Sequence, residues 1–140
     1  MADINHEIKI KAPQERIYQA LTTVTDLAKW HTSKIDGDAA LGGILRIHPQ
    51  DGPAFDWKVT KAEPARSIEW KCIKGPGNSA GTTVIFSLSP ADKGRIFLEF
   101  AHSGWPDTTG SFRKCNTLWA ILVYHLQKYA ETQESDPVFA

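Results

Sequence analysis

The sequence predicts an α+β fold, a curved antiparallel sheet with one long C-terminal helix laid across it. From Ile44 to His102 apolar residues recur with period two, the signature of strands, and the runs are separated by proline- and glycine-rich turns. From Phe112 to Tyr129 the period changes to three and four residues, the signature of a helix. The length of 140 residues fits one domain with one core and leaves little room for a second.

The chain opens with Ile8-Lys9-Ile10-Lys11, an alternation that reads as a strand ending before Pro13. Pro13 followed by Gln14, Glu15 and Arg16 opens a helix, because a proline in the first turn lacks only an N–H that the helix does not use. Ile17, Ala20 and Leu21 give that helix its apolar side. A second short helix is predicted from about Asp26 to Trp30, capped by Thr25 or Asp26, with Leu27 and Trp30 on its buried face. Gly37 and the Gly42-Gly43 pair mark the turns that follow.

In the first strand of the period-two region, Ile44, Arg46 and His48 oppose Leu45 and Ile47, and either face can be the inner one. The next strands are clearer. Phe55, Trp57 and Val59 share a side, as do Ile68, Trp70 and Cys72, then Val84, Phe86 and Leu88, then Ile96, Leu98, Phe100 and His102. Ile85 and Phe97 fall on the opposite face, where they pack the first helices, sit under a loop, or form a dimer surface. Gly75 to Gly81, GPGNSAG, lacks the lysine and strand-to-helix setting of a phosphate loop and reads as a long hairpin connection.

On the terminal helix Phe112, Cys115, Trp119, Leu122, Leu126 and Tyr129 form the stripe. Leu118, Ile121, Val123 and Tyr124 widen it until the middle is apolar nearly all round, which predicts a deeply enclosed helix. Residues from about 132 to 140 are polar, include a proline, and read as a loose tail.

Composition removes several functions. Sixteen basic and sixteen acidic side chains leave no net charge, against the basic excess of a nucleic-acid binder. No window holds the roughly 18 apolar residues that a membrane span requires. The N-terminal MADINHEIKIKAP has no secretory pattern, and Cys72 and Cys115 do not make a disulfide scaffold, so a cytoplasmic address is expected. The five histidines are too dispersed to seed a metal site, and no cofactor is expected. Asp36 and Asp38 precede a glycine turn and are assigned to solvent.

Three segments together cover almost the whole chain: IKIKAPQERIYQALTTVTDLAKWH from Ile8 to His31, TTVIFSLSPADKGRIFLEFAHSGWP from Thr82 to Pro106, and LWAILVYHLQKYAE from Leu118 to Glu131. In their order and spacing the chain resembles the START-like (SRPBCC) helix-grip superfamily. Within it, the chain is similar to small bacterial proteins related to the C-terminal domain of the activator of the Hsp90 ATPase. The resemblance implies a sheet wrapped around the long helix, with a cavity between them that takes hydrophobic or amphipathic small molecules. Some distant relatives act on such ligands as cyclases, hydrolases or deaminating enzymes. The namesake co-chaperone has a further N-terminal domain that supplies much of its chaperone contact, for which this chain has no room. The family has no universal catalytic motif, and no catalytic residue is carried over.

Strand and helix phase point Trp57, Trp70, Phe86, Phe100 and Trp119 inward as cavity walls, or as plain core. Trp105, in Gly-Trp-Pro, covers the cavity mouth or anchors its loop, while Trp30 pins the second helix or lies at the entrance. His102, Cys115 and Asn116 are the polar or reactive groups nearest the inferred pocket. A Cys–His nucleophile pair would need hydrogen-bond reach and an orienting third group. Arg46 and Asp56 either orient a polar ligand head or are surface charges. The expected partner is a small apolar or amphipathic molecule, bound without being transformed. The alternatives are an enzyme using the same pocket and a chaperone-associated interaction protein, with a homodimer as a further expectation.

Overall fold

The computed structural model describes residues 1–49 and 52–139. Seven strands and three helices follow in the order β1 (Ala2–Ile10), α1 (Gln14–Thr22), α2 (Val24–Trp30), β2 (Ile35–Gly37), β3 (Ile44–Ile47), β4 (Phe55–Glu63), β5 (Ser67–Lys74), β6 (Thr83–Pro90), β7 (Ile96–Trp105) and α3 (Ser111–Thr132). The strands form one antiparallel sheet in the order β1-β7-β6-β5-β4-β3-β2. Only β1 leaves the meander, pairing with β7 and setting the sheet edge beneath α3.

The inner face carries the alternation read from the sequence. Trp57 and Val59, Ile68, Trp70 and Cys72, Val84, Phe86 and Leu88, and Leu98, Phe100 and His102 are all buried. In β3 the structure decides the open question: Leu45 and Ile47 point inward, and Ile44 faces solvent. Register shifts between Asp56 and Trp57 and between Val59 and Lys61 interrupt the β4–β5 ladder. Such bulges bend a strand and increase its twist, which lets the sheet curl toward the helix.

Pro13 precedes α1 as expected, and its carbonyl accepts from the Arg16 and Ile17 amides at 3.1 and 3.2 Å. Helix α2 starts earlier than predicted, at Val24 with Thr23 as its N-cap residue, so Thr25 and Asp26 lie inside the first turn. Asp26 instead accepts a hydrogen bond from the Tyr129 hydroxyl on α3. Burial and the Asp26 carboxylate together push the Tyr129 hydroxyl up to about 12. Trp30 pins α2 to α1, its Nε1–H donating to the Ala20 carbonyl at 2.9 Å.

Two expectations are corrected. Helix α3 is enclosed on one side only, since Ile121 is 41% and Tyr124 59% exposed. One sheet face and two short helices cannot surround a helix, so the residues that broaden its stripe remain outside. Nor is the segment after α3 loose throughout. Gln133 turns the chain in a left-handed conformation, and the Asp136, Val138 and Phe139 amides then donate to the Lys29, Trp30 and His31 carbonyls at 2.8, 3.2 and 3.1 Å. The C-terminal end of α2 leaves carbonyls without helical partners, and the tail supplies the missing donors.

Candidate functional site

A cavity of about 520 Å³ lies between β3–β4, α3 and the docked tail. Ile47, Phe55 and Trp57 form its sheet wall, and Cys115, Leu118, Trp119 and Leu122 its helix wall. His31, Val138 and Phe139 close one side, with Pro49, Gly52, Pro53 and Pro76 contributed by loops. The volume falls in the range of small-molecule sites, roughly 300–1,000 Å³. A second depression of about 500 Å³ lies on the outer face of the sheet, lined by Asn5, Glu7, Ile85, Ser87, Glu99 and their neighbours. Its carboxylates and its openness make it a poor apolar container, so the inner cavity is the candidate site.

Of the residues picked from sequence, Trp57, His102, Cys115 and Trp119 line this cavity. Trp70, Phe86 and Phe100 sit behind it in a buried ring cluster. Trp70 meets Phe86 at 5.3 Å edge to face, Phe86 meets Phe100 at 5.1 Å, and Phe100 meets Trp119 at 4.4 Å. Trp105 is fully buried between His102 and Phe112, at 4.6 and 5.9 Å, and does not cover a mouth. Asn116 is exposed on the far side of α3, where its carbonyl lies 3.2 Å from His6 Nε2. Arg46 and Asp56 form a cross-strand pair at 3.9 Å outside the cavity.

His102 is held from both sides. Trp119 Nε1 can only donate, and it does so to His102 Nδ1 at 3.0 Å. The neutral ring therefore carries its proton on Nε2, which donates to Thr82 Oγ1 at 2.7 Å. The Thr82 hydroxyl passes the direction on, donating to the Ser79 carbonyl at 2.6 Å. Burial pushes the His102 value down to about 3 and keeps the ring neutral. With both nitrogens engaged, His102 has no lone pair for a substrate or for Cys115. The Cys115 thiol is itself pushed up to about 11, chiefly by burial, so nothing activates it as a nucleophile. Cys72 and Cys115 are both free thiols.

Sequence reasoning missed His31. It follows the last turn of α2, its amide donating to the Leu27 carbonyl at 2.9 Å while its own carbonyl accepts from Phe139. The ring packs against Trp30, Trp119 and Phe139 at 5.3, 5.7 and 6.3 Å and is only 4% exposed. Burial pushes its value down to about 3. Nδ1 lies 2.8 Å from Thr32 Oγ1, and Nε2 has no partner among the described residues. Position after a helix carries no periodicity, so only the adjacent His-Thr pair hinted at an organised group. The tail residues Val138 and Phe139 were missed for a related reason: two apolar residues in a polar segment do not reveal where they dock. Among the described residues, no three His, Cys, Asp or Glu side chains gather as a metal site requires, and no helix is long and apolar enough to cross a membrane.

A curved antiparallel sheet gripping a long C-terminal helix, with a cavity between them, defines a START-like helix-grip protein. The profile of the family described as Activator of Hsp90 ATPase homolog 1-like protein matches residues 11–131, and the chain belongs to that family. Among solved structures, the Aha1 dimer from Colwellia psychrerythraea is similar at 38% identity and a TM-score of 0.85, over 94% of this chain and 98% of that one. A Mesorhizobium loti protein aligns at 24% identity and TM-score 0.78, over 91% and 95% of the two chains. A Bacillus halodurans protein aligns at 21% and 0.74, over 94% and 98%. The last two speak for the fold alone. No curated protein matches the chain.

Proposed function

We propose that the protein binds a small hydrophobic or amphipathic molecule between sheet and helix without transforming it. The cavity of about 520 Å³, walled mainly by aromatic and aliphatic side chains, carries this reading. Burying an apolar ligand there removes its surface and that of the half-buried Phe55, Leu118, Val138 and Phe139 from water, at about 25 cal/mol per Å². The rigid rings lose little entropy in doing so. Against the alternative of an enzyme stands the state of its best candidates: a His102 with both nitrogens occupied beside a thiol that burial holds protonated. The two free buried thiols suit a reducing, cytoplasmic setting.

A second reading, an interaction protein that self-associates and attends a chaperone ATPase, draws on the similarity to the Colwellia psychrerythraea Aha1 dimer. Exposed Ile121 and Tyr124, one turn apart on α3, offer an apolar face for a second copy. Native mass spectrometry of the freshly purified chain, before and after incubation with a panel of apolar compounds, separates the readings. Retention or uptake of one small organic molecule per chain is the expected result. A dimer mass with no uptake of any compound overturns the ligand-binding reading and favours the second.

A further inference from the structure

The outer face of the sheet, opposite the one that packs α3, has its charges set against one another in two places. Strand pairing puts exposed Lys58 of β4 directly opposite exposed Lys71 of β5, and exposed Glu7 of β1 directly opposite exposed Glu99 of β7. Each of the four is flanked in its strand by inward-facing residues, so all four point outward. Like charges directly opposite one another weaken a sheet. Elsewhere on this face the usual rule holds: Arg46 is opposite Asp56, and Lys61 is opposite Glu69.

The two like-charged pairs are related by position. Lys71 is opposite Thr83 and Glu99 is opposite Ser87, so the lysines flank β6 on one side at Thr83 and the glutamates flank it on the other at Ser87. Half-buried Ile85 lies midway between them along β6, with Ala101 beside it on β7. In the strand order, the β4–β5 and β7–β1 pairs are equally far from β6. At a strand spacing of about 4.8 Å and a rise of about 3.4 Å per residue, the two charge pairs are about 20 Å apart. A two-fold axis lying along the face and passing through Ile85 exchanges them. Lys58 and Lys71 of one copy then meet Glu7 and Glu99 of the other, and the contact is made twice, as an isologous interface requires. The relief of the face agrees. Glu7 and Glu99 border the outer depression of about 500 Å³, together with Asn5, Ser87, Ile85 and Ala101, and a long lysine side chain can enter it.

We infer that two copies of this chain associate through the outer sheet face, with Ile85 at the two-fold axis. The inference rests on the self-association of the second reading and moves the contact from Ile121 and Tyr124 to the sheet. Five strands of about six residues each project to about 500 Å² per copy, below the roughly 800 Å² of a standard interface, so the charges decide whether the dimer holds.

Sedimentation velocity of the full chain over a concentration series tests it. The expected result is a monomer–dimer equilibrium whose Kd rises about tenfold between 0.1 and 1 M salt, as the screening length falls from about 10 to about 3 Å. Lys58→Glu with Lys71→Glu leaves both pairs acidic, and Glu7→Lys with Glu99→Lys leaves both basic. Each double variant should raise the Kd at least about tenfold. Mixed in equal amounts, the two variants should form a heterodimer, which a folding defect cannot produce. Ile121→Ser with Tyr124→Ser should leave the dimer intact. A wild type that stays monomeric up to about 1 mM overturns both the inference and the self-association. A dimer that survives both charge reversals, or is lost on substituting Ile121 and Tyr124, overturns the inference and leaves self-association standing. Failure of the two charge variants to pair with each other overturns it as well.

Discussion

The sheet wall of the cavity around His102 and the opposite wall around His31 are built from similar parts with different outcomes. Each presents a neutral imidazole, buried among aromatic rings and depressed by burial to about 3. On the sheet side, Trp119, His102, Thr82 and the Ser79 carbonyl form a directed chain in which every donor has an acceptor. On the α2 side the chain stops at Nε2. Burial and depressed basicity therefore do not distinguish the two histidines, because both have them. The surplus valence separates them, and it is decided by neighbours distant in sequence.

The shared property has the largest consequence, and it tests whether both rings are as dry as the structure makes them. A histidine whose folded value lies near 3 and whose unfolded value is 6.5 binds its proton preferentially in the unfolded chain between those limits. Its contribution to stability is complete above pH 6.5 and is lost as pH falls toward 3, with a limiting slope of about 1.4 kcal/mol per pH unit for each ring. Urea unfolding of the wild type should therefore weaken by about 3–4 kcal/mol between pH 6 and pH 4.5. His31→Phe and His102→Phe should each remove about half of that dependence in the same pH window. A flat profile over that window would show that water reaches both rings.

The same two substitutions at pH 7 should sharpen the contrast, because they have opposite bookkeeping in hydrogen bonds. His102→Phe keeps the ring but strands the buried Trp119 N–H and removes the donor to Thr82, at a cost of about 3 kcal/mol. His31→Phe leaves the buried Thr32 hydroxyl without its partner but also removes the unpartnered Nε2, exchanging one orphaned group for another, so the net change should stay near about 1 kcal/mol. Denaturant midpoints with unchanged m-values are the measurement. Equal losses in the two variants would mean that the His31 ring has a partner after all.

The legibility of the two walls in the sequence follows the same division. The sheet wall obeys period two and the helix wall period 3.6, so the pattern of residues points Trp57, His102, Cys115 and Trp119 inward, as cavity wall or as core, and the structure has them on the cavity. The phase of β3 was readable only as an alternative, since Ile44 and Leu45 are equally apolar and burial chose between them. Periodicity also says which way a side chain points but not how deep it lies, which is why Trp70, Phe86 and Phe100 are behind the cavity rather than on it. Asn116 shows the complementary failure: one position beyond Cys115 on a helix is about 100° away, enough to face solvent. The α2 wall had no period to read. His31, Val138 and Phe139 meet through backbone bonds between a helix end and a tail more than a hundred residues later, and no local pattern encodes that meeting.

The smallest expected effect comes from the two threonines, and it isolates the cause of the difference between the walls. Thr82→Val deprives His102 Nε2–H of its acceptor, and the ring cannot respond by moving its proton because Trp119 N–H requires Nδ1 to stay a bare acceptor. The stranded donor should cost about 2 kcal/mol. Thr32→Val removes the partner of His31 Nδ1, but among the described residues no fixed donor pins either nitrogen of that ring. Its proton is then free to sit on whichever side is better solvated, and the cost should fall below about 1 kcal/mol. Nitrogen-15 spectra of the two variants should find His102 still protonated at Nε2 and His31 in a mixture of tautomers. A single tautomer at His31 in the Thr32→Val protein would mean that something other than Thr32 orients the ring.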